Sequence, residues 1–407
     1  MFNLVKLALR NVFRNKSRSA LTCGAIGFGV FMTMLLGGFV FGLTNIIVFD
    51  AILGKVGGVQ VHKRGFDNVK DNFPLEYDME QGGALEKTIR ATSGVRAVTG
   101  RIVFSGSLNN GTRNTFVVAN AHDPAQEYVV CPLGKRGLDG QPLRSGQEGK
   151  GVLGFELAEA LGAKFGATLV IQAATRDGQQ NALDLEMVGT VNNNAPMESK
   201  RMVYVPLALA QTLLGMQGRV TEYAVAVHEV EEVDTVAAAL AAKLGPQYHV
   251  QTWREIRPQV VDIVKTQRVV LLFVCMVFLV IAVFGVMNTM LMAVLERTRE
   301  IGTMMAVGIR RAQITTLFLF EATAMALLGT GFGAAAGFAF NAIVIYAFGG
   351  IALSPPGSKA KVLLLPVVPA WLVVLTVGAT ALATVLAAVY PAWRASRLRP
   401  VEALRAT

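Results

Sequence analysis

The chain has 407 residues, of which 53% are hydrophobic and only 16% are charged, and its mean hydropathy is +0.46. Soluble globular proteins carry about a quarter charged residues, and the deficit here is confined to four long stretches, which indicates membrane spans beside one water-soluble block. The net charge of +10 is concentrated beside the apolar stretches without a nucleic-acid-binding motif, so we expect contact with membrane lipid and no nucleic-acid partner.

The first twenty residues favour an amphipathic helix in the cytoplasmic membrane interface, with a simple extension of the first span as the alternative. The apolar side of this helix would consist of Phe2, Val5, Leu9 and Val12. The uncharged run 19–49 follows it. Because this run is far longer than the roughly 7–15 apolar residues of a signal peptide, we expect it to remain as the first transmembrane helix.

The block 50–268 mixes strand and helix patterns, which predicts an α+β domain. Turn-forming residues at 109–111 predict a hairpin between strands 101–107 and 114–120. The block is long enough for one or two lobes, and three glycines in the stretch 145–152 indicate where two lobes would meet. The other predicted elements are strands at 168–173, 183–191 and 202–205 and helices at 155–161, 207–214 and 233–244.

The same block offers no pattern that indicates catalysis or metal binding. The four histidines of the chain have no metal-ligand spacing, and no GxSxG or GxxxxGK[ST] sequence occurs in the 407 residues. We therefore expect no catalytic centre, no metal site and no cofactor bound by this chain. Cys131 is the only cysteine of the block, which excludes an internal disulfide there, and we expect a thiol reagent to reach it.

Basic residues concentrate at the two chain ends and in the short segment after the second apolar run. The positive-inside rule therefore places both termini and the 296–313 segment in the cytoplasm, and the 50–268 domain outside. The fold class is a membrane protein with four transmembrane α-helices and a large α+β domain between the first and the second. The predicted ranges are a cytoplasmic helix 1–20, transmembrane helices 21–49, 269–295, 314–348 and 367–391, the external domain 50–268, the cytoplasmic segment 296–313, an external loop 349–366 and a cytoplasmic tail 392–407.

Glycines recur at four-residue spacing in two of the predicted spans. This spacing lets two helix backbones approach closely within lipid. Two interpretations are open from the sequence: packing within one chain, or an interface with a second subunit. The glycines concerned are Gly38, Gly42, Gly329, Gly333 and Gly337.

The most specific pattern of the chain runs from Asn288 to Glu321 and begins NTMLMAVLERTREIGTMMAVG. It resembles the hallmark of the FtsX-like permease family of type VII ABC transporters, which includes the MacB and LolC/LolE proteins. The resemblance extends to LALRN at Leu7, YPAWRAS at Tyr390 and PVEAL at Pro400.

The resemblance implies the permease subunit of an ABC transporter. In the family this segment is a coupling helix that docks on a separate cytoplasmic ATPase dimer, which would use ATP and Mg, and the movement is transmitted to the periplasmic domain. We expect exposed charges, an apolar knob that includes Met304, and glycines that permit close approach or a sharp turn. Because four spans leave little room for a conduit, we also expect a second permease subunit, identical or paralogous. The implied coupling residues are Glu296, Arg297, Arg299, Glu300, Ile301, Gly302, Met305 and Gly308.

The stretch GGVQVHKRG, from Gly57 to Gly65, resembles the lipoprotein-releasing LolC/LolE branch, although an ordinary amphipathic strand is the alternative. A lipoprotein or other amphiphile at a bacterial inner membrane is the expected cargo. Export of a toxin, antibiotic or peptide, control of a cell-wall hydrolase, and a membrane-anchored sensor are the alternatives. The apolar residues predicted to contact the cargo are Val59, Val61, Phe66 and Val264.

Overall fold

The structure is a computed structural model that divides into two compact units. It describes residues 10, 14, 16–66, 73–132, 138–191, 199–353 and 362–398. The helical unit comprises residues 1–45, 263–351 and 363–407, and the sheet unit comprises residues 46–262 and 352–362. Most of the predicted helix 1–20 and the C-terminal PVEAL pattern lie outside the described residues.

Eleven α-helices have their bounds in the described part of the chain. Four of them, α1, α8, α10 and α11, are long and apolar enough to cross a membrane, which confirms the four predicted apolar helices. The helices are α1 (Lys16–Ala51), α2 (Ala84–Arg90), α3 (Pro124–Val130), α4 (Phe155–Leu161), α5 (Leu207–Leu214), α6 (Val233–Leu244), α7 (Trp253–Ile256), α8 (Pro258–Glu296), α9 (Thr298–Ala306), α10 (Arg311–Tyr346) and α11 (Ala370–Ser396).

The predicted span 269–295 is shorter than the helix that contains it. Helix α8 begins at Pro258, eleven residues before the apolar run, and its first turns carry charged side chains such as Asp262 and Arg268. Proline is favoured in the first turn of a helix, and backbone hydrogen bonding continues through polar residues that hydropathy does not count. The helix is therefore longer than its apolar part.

Most strands belong to one ten-stranded sheet in the sheet unit. Six of them, β3, β4, β9, β6, β8 and β7, pair in a closed ring, and β11, β1 and β12 extend the sheet outward from β3. The strands are β1 (Val59–Lys63), β2 (Met79–Glu80), β3 (Val95–Asn109), β4 (Asn114–His122), β5 (Leu138–Gly140), β6 (Lys150–Gly154), β7 (Thr168–Ala174), β8 (Gln180–Val191), β9 (Met202–Pro206), β10 (Arg219–Val220), β11 (Glu222–Val227), β12 (Tyr248–Thr252), β13 (Ile351–Leu353) and β14 (Val362–Leu364).

The predicted α+β architecture of the domain is confirmed. The predicted hairpin is present because β3 pairs with β4 in antiparallel register from Arg101–His122 to Asn109–Asn114. The three predicted helices have the bounds of α4, α5 and α6. The predicted lobe boundary at 145–152 is wrong, because β6 lies inside the ring, parallel to β8 and antiparallel to β9, so the sheet continues through it.

The sheet has two different faces, because successive side chains of a strand point to opposite sides. One face carries the apolar core of the unit, which packs against α2, α4, α5, α6 and α7. Side chains from neighbouring strands that belong to this core include Val61, Ile102, Ala119, Val203 and Val225. The residues between them in sequence therefore point to the opposite face, where α3 lies against β3 and β11.

The five glycines at four-residue spacing pack within the helical unit. Gly333 of α10 lies so close to Gly27 of α1 that a Cβ atom at position 333 would overlap the Gly27 backbone. Gly329 and Gly337 likewise contact α1, and Gly38 and Gly42 contact residues of α10 and of the segment before α11. All five are buried. The intrachain interpretation therefore accounts for these glycines, and they are not available to a second subunit.

Candidate functional site

The segment between α8 and α10 forms a short amphipathic helix bounded by two breaks in helical geometry. Helix α8 ends at Glu296, and α9 runs from Thr298 to Ala306. Gly308 follows with a φ of +97°, a left-handed conformation that favours glycine, and it makes the sharp turn that the sequence pattern predicts. The side chain of Gln313 then accepts a hydrogen bond from the backbone N–H of Arg310 at 2.9 Å, which caps α10.

Arg297 and Glu300 are paired within the chain, which corrects the expectation that the charges of this segment all point to a partner. The Nη1 of Arg297 donates to both carboxylate oxygens of Glu321 in α10, at 3.2 and 3.3 Å. The two side chains are only 13% and 7% exposed. Glu300 accepts a hydrogen bond of 2.7 Å from Arg14 at the exposed surface. No local sequence pattern predicts these pairings, because the partners lie 24 and 286 residues apart.

The predicted apolar knob is also turned inward. Ile301 and Gly302 are buried, and Ile301 belongs to the apolar core of the helical unit with Ile314 and Phe318. Met304 and Met305 are half-buried against the same core. The reason is the period of the helix, which places residues three and four apart on one side and turns that side to α10. These residues hold α9 in place and do not present it to a partner.

The surface that remains exposed contains both predicted and missed residues. Glu296, Arg299 and Gly308 are exposed, as the motif predicts. Val307 is 86% exposed and was missed, although an aliphatic residue directly before the glycine of a turn is the signal that could have found it. We call the four residues Glu296, Arg299, Val307 and Gly308 the exposed coupling surface.

The sheet unit contains a cavity of about 620 Å³ on the face of the sheet opposite the apolar core. Six adjacent strands line it with the side chains that alternate with the core residues. In sheet order, they are Gln251 of β12, Gln60 and His62 of β1, Glu222 of β11, Arg101 and Val103 of β3, Val118 and Asn120 of β4, and Met202 and Tyr204 of β9. The first residues of α8, Pro258 and Gln259, also line the cavity.

A buried arginine organises the polar part of this cavity. Arg101 is 1% exposed, and its Nε and Nη2 donate to Glu127 of α3 at 2.8 and 2.6 Å. Its Nη1 donates to Glu222 at 3.3 Å and to the carbonyl oxygen of Lys55 at 2.8 Å. A buried charge is tolerated only when its hydrogen-bonding capacity is used, and Arg101 meets that condition with two carboxylates.

Ionisable groups around Arg101 have pKa values that differ from their ordinary values. Burial opposes ionisation of Glu127, but the charges of Arg101 and His122 outweigh it and lower the pKa of Glu127. Burial lowers the pKa of His122, whose Nδ1 lies 3.2 Å from Asn120 Oδ1. Burial also raises the pKa of Cys131 to about 12. The expectation that a thiol reagent reaches Cys131 is therefore wrong, because the thiol is buried and remains protonated at neutral pH.

The predicted cargo residues fall in three different places. Val59 and Val61 are fully buried in the apolar core, so they cannot form an open surface and this prediction is wrong. Successive side chains of a strand point to opposite faces, so the next residues of β1, Gln60 and His62, are the ones that line the cavity. Phe66 lines the cavity, where its ring stacks on His62 with a centroid distance of 4.4 Å. Val264 is half-buried in the part of α8 that belongs to the helical unit.

Comparison with known proteins gives this architecture a family. The family model for the MacB-like periplasmic core domain matches residues 19–243, and the model for the FtsX-like permease C-terminal matches residues 272–400. The chain belongs to the FtsX/MacB-type permease family. Membership indicates an ABC transporter permease with a periplasmic domain in a bacterial inner membrane.

Relatives and one solved structure define how far the likeness extends. The chain is 26% identical over 239 residues to a macrolide export ATP-binding/permease protein MacB of Bdellovibrio bacteriovorus, which covers 55% of the chain and 35% of that relative. It is 30% identical over 168 residues to the protein of that name from Escherichia coli, which covers 39% of the chain and 26% of that relative. The periplasmic region of MacB from Actinobacillus actinomycetemcomitans has 13% identity and a TM-score of 0.36, covering 52% and 95%. The chain thus spans about a third or less of these two curated relatives.

Proposed function

We propose that the protein converts ATP hydrolysis by a separate ATPase dimer into movement of its periplasmic domain, and thereby releases or exports an amphiphile such as a lipoprotein. The ATPase would bind ATP and Mg and dock on the exposed coupling surface. The observation that carries this proposal is the geometry of α9, which joins α8 through Arg297 and is tied to α10 by the Arg297–Glu321 pair. A force on α9 would therefore act on both helices.

The same helix links the two functional regions through the chain itself. Helix α8 is uninterrupted from Pro258, which lines the cavity, to Glu296 of the exposed coupling surface. Helices transmit displacement along their axis because every backbone hydrogen bond joins consecutive turns. A displacement of α9 would therefore reach the cavity-lining end of α8. In this proposal both termini and α9 are cytoplasmic, as the basic residues of the flanks favour.

The partner and cargo proposals have different support. Many apolar side chains of α8 are exposed, among them Val269, Phe273 and Phe284, so lipid or a second permease subunit would cover them. Macrolide export is a second candidate function, favoured by the names of the curated relatives. The amphiphile is the broader class that includes both cargoes, and extraction from a bilayer costs about 0.8 kcal/mol for each CH₂ group exposed to water.

The test is recovery of the ATPase with variants of the exposed coupling surface. Val307→Asp places a charge on the most exposed apolar side chain of the segment without touching the core. We expect ATPase recovery from solubilised membranes to fall at least about tenfold, because a buried charge at an interface lacks a partner. The matched control is Val129→Asp, an exposed valine in the sheet unit, which should leave recovery unchanged.

The outcomes separate the functional classes. Wild-type recovery with Val307→Asp would exclude this surface as the docking site. Absence of any ATPase from the wild-type preparation would favour the sensor interpretation.

The orientation of the protein in the membrane is measured with Gln179→Cys, an exposed turn residue of the sheet unit, since Cys131 is buried. An impermeant thiol reagent added outside the inner membrane should label this cysteine in intact cells, and labelling only after lysis would reverse the topology.

A further inference from the structure

We propose that the cavity of the sheet unit binds an amphiphile with an anionic head group, which makes it the site where the transporter holds its cargo. The cavity volume of about 620 Å³ lies within the range of roughly 300–1,000 Å³ typical of small-molecule sites. The identification of the ligand as cargo rests on the proposed function. The binding itself rests on the lining residues alone.

The cavity is built from polar side chains that the fold buries at a cost. Three polar side chains, Gln60, His62 and Gln251, are each less than a tenth exposed. The same holds for Arg101 and its two carboxylate partners, Glu127 and Glu222, which together form the Arg101 cluster. Gln60 and Gln251 are directly opposite each other in the β1–β12 pair, and Gln60 Oε1 lies 3.2 Å from His62 Nε2. An apolar residue at each of these positions would cost less to bury, so five polar side chains on one face of the sheet, with a sixth on α3, are typical of a ligand site.

The charge of the lining favours an anion over a cation. The described lining residues include four basic and two acidic side chains, and both acidic ones, Glu127 and Glu222, are already bonded to Arg101. A cationic head group would have to compete with this buried guanidinium for the two carboxylates. An anionic head group would instead meet Arg201, whose guanidinium is exposed and lies 5.8 Å from the centre of the Phe116 ring. A charge-assisted bond to a guanidinium is the stronger kind of hydrogen bond.

The remaining lining accounts for the apolar part of the ligand. Phe66, Phe73, Val103, Val118 and Met202 border the same cavity. Aromatic and methionine side chains accommodate flexible alkyl chains, since both present large polarisable surfaces. The cavity therefore offers hydrogen-bonding groups, positive charge and apolar contact together, which is the combination that an anionic amphiphile requires.

The test follows protection of a cysteine placed in the cavity. Met202→Cys is made in the full chain in lipid nanodiscs, and its alkylation by iodoacetamide is followed by peptide mass spectrometry with hexyl phosphate as the probe. We expect hexyl phosphate to slow alkylation at 202 in a saturable manner, and inorganic phosphate and hexyltrimethylammonium to have much less effect. Gln179→Cys reports reaction at an exposed turn outside the cavity and should be unaffected by the probe.

A charge variant identifies the head-group contact. In the Met202→Cys background, Arg201→Gln should raise the hexyl phosphate concentration for half-protection about tenfold, and Arg201→Lys should raise it less. Lys164→Gln removes an exposed charge outside the cavity and should change nothing. Equal or better protection by hexyltrimethylammonium would overturn the anionic class. Equal protection by inorganic phosphate would overturn the amphiphile, and no protection by any probe would overturn the site.

These failures are distinguishable from failure of the proposed function. The protection assay needs neither ATPase nor ATP, whereas the proposed function is tested by ATPase recovery with Val307→Asp. If Val307→Asp loses ATPase docking but no probe protects Met202→Cys, the proposed transport function stands and the proposed cargo site is wrong. Saturable protection without any ATPase partner would leave the binding site and overturn its role in transport.

Discussion

The two units of the molecule hold their buried charges in different ways. In the sheet unit, Arg101 is surrounded by two carboxylates and a backbone carbonyl on the cavity-lining face of the sheet, where it is 1% exposed. In the helical unit, Arg297 pairs with the carboxylate of Glu321, beside a segment whose other charges are exposed. One cluster is enclosed by the fold. The other lies at a helix junction beside the exposed coupling surface.

The comparison indicates two roles for a buried arginine: Arg101 stabilises the sheet unit, whereas Arg297 joins helices at the proposed ATPase-docking segment. Removing one partner of a fully buried ion pair leaves an uncompensated charge and costs about 3–5 kcal/mol. The hydrogen bonds of the Arg297–Glu321 pair, at 3.2 and 3.3 Å, are longer than those of Arg101 to Glu127, so we expect this pair to cost less to disturb. The contrast predicts that substitutions at the two arginines differ in size and in how they can be rescued.

The largest effect is expected at Arg101. Arg101→Met should destabilise the sheet unit by about 3–5 kcal/mol, since two carboxylates lose their cation. Hydrogen exchange of the β3 and β11 amides in the full chain measures this. Glu127→Gln added to the variant should restore only part of the stability, because Glu222 stays buried. An Arg101→Met variant as stable as the exposed control Arg113→Met would remove the distinction between the clusters.

The next effect concerns the interior of the helical unit, which is packed through small residues. Gly333→Ala should cost about 1–3 kcal/mol, because the added methyl group overlaps the backbone of Gly27. Gly331→Ala is the matched control on the same helix, since nothing lies within 4 Å of a Cβ atom there. Chemical unfolding in micelles compares the two variants. Equal stability would mean that α1 and α10 do not approach as closely as described.

An effect of similar size is expected at the junction. Glu321→Gln should lower the stability of the helical unit by roughly 1.5–3 kcal/mol, the usual contribution of a hydrogen bond to a charged group. The double variant Arg297→Met with Glu321→Met should recover most of the loss, since apolar replacement of both partners is often neutral. The same unfolding assay applies. A double variant less stable than Glu321→Gln alone would show that Arg297 has a further role in the fold.

The smallest effect is a pH dependence in the sheet unit. Burial lowers the pKa of His122 below its ordinary value of about 6.5, so below that pH the unfolded chain binds a proton that the folded chain does not. Stability of the sheet unit should therefore fall as pH decreases from about 6.5 towards the folded pKa. His122→Gln should flatten this part of the profile in hydrogen-exchange measurements. An unchanged profile would assign the pH dependence to other groups.

The sequence predicted what depends on local periodicity. The apolar runs identified α1, α8, α10 and α11, and the strand and helix patterns of the domain matched elements such as α4 and the β3–β4 hairpin. The cavity could not be predicted in this way. Its Arg101–Glu222 contact joins residues 121 positions apart, and its lining depends on which face of β1 is covered. The sequence pattern predicted that Val59 and Val61 contact the cargo, but both belong to the apolar core. The alternating residues Gln60 and His62 line the cavity instead.

In the proposed mechanism, ATP hydrolysis by an ATPase docked beside α9 changes the cavity of the sheet unit. The most direct measurement is the alkylation rate of Met202→Cys in the complex of full chain and ATPase, with and without ATP and Mg. The account predicts a severalfold change in rate on addition of ATP, and no change with Val307→Asp. Equal rates with and without ATP, while the bound ATPase hydrolyses it, would contradict the account.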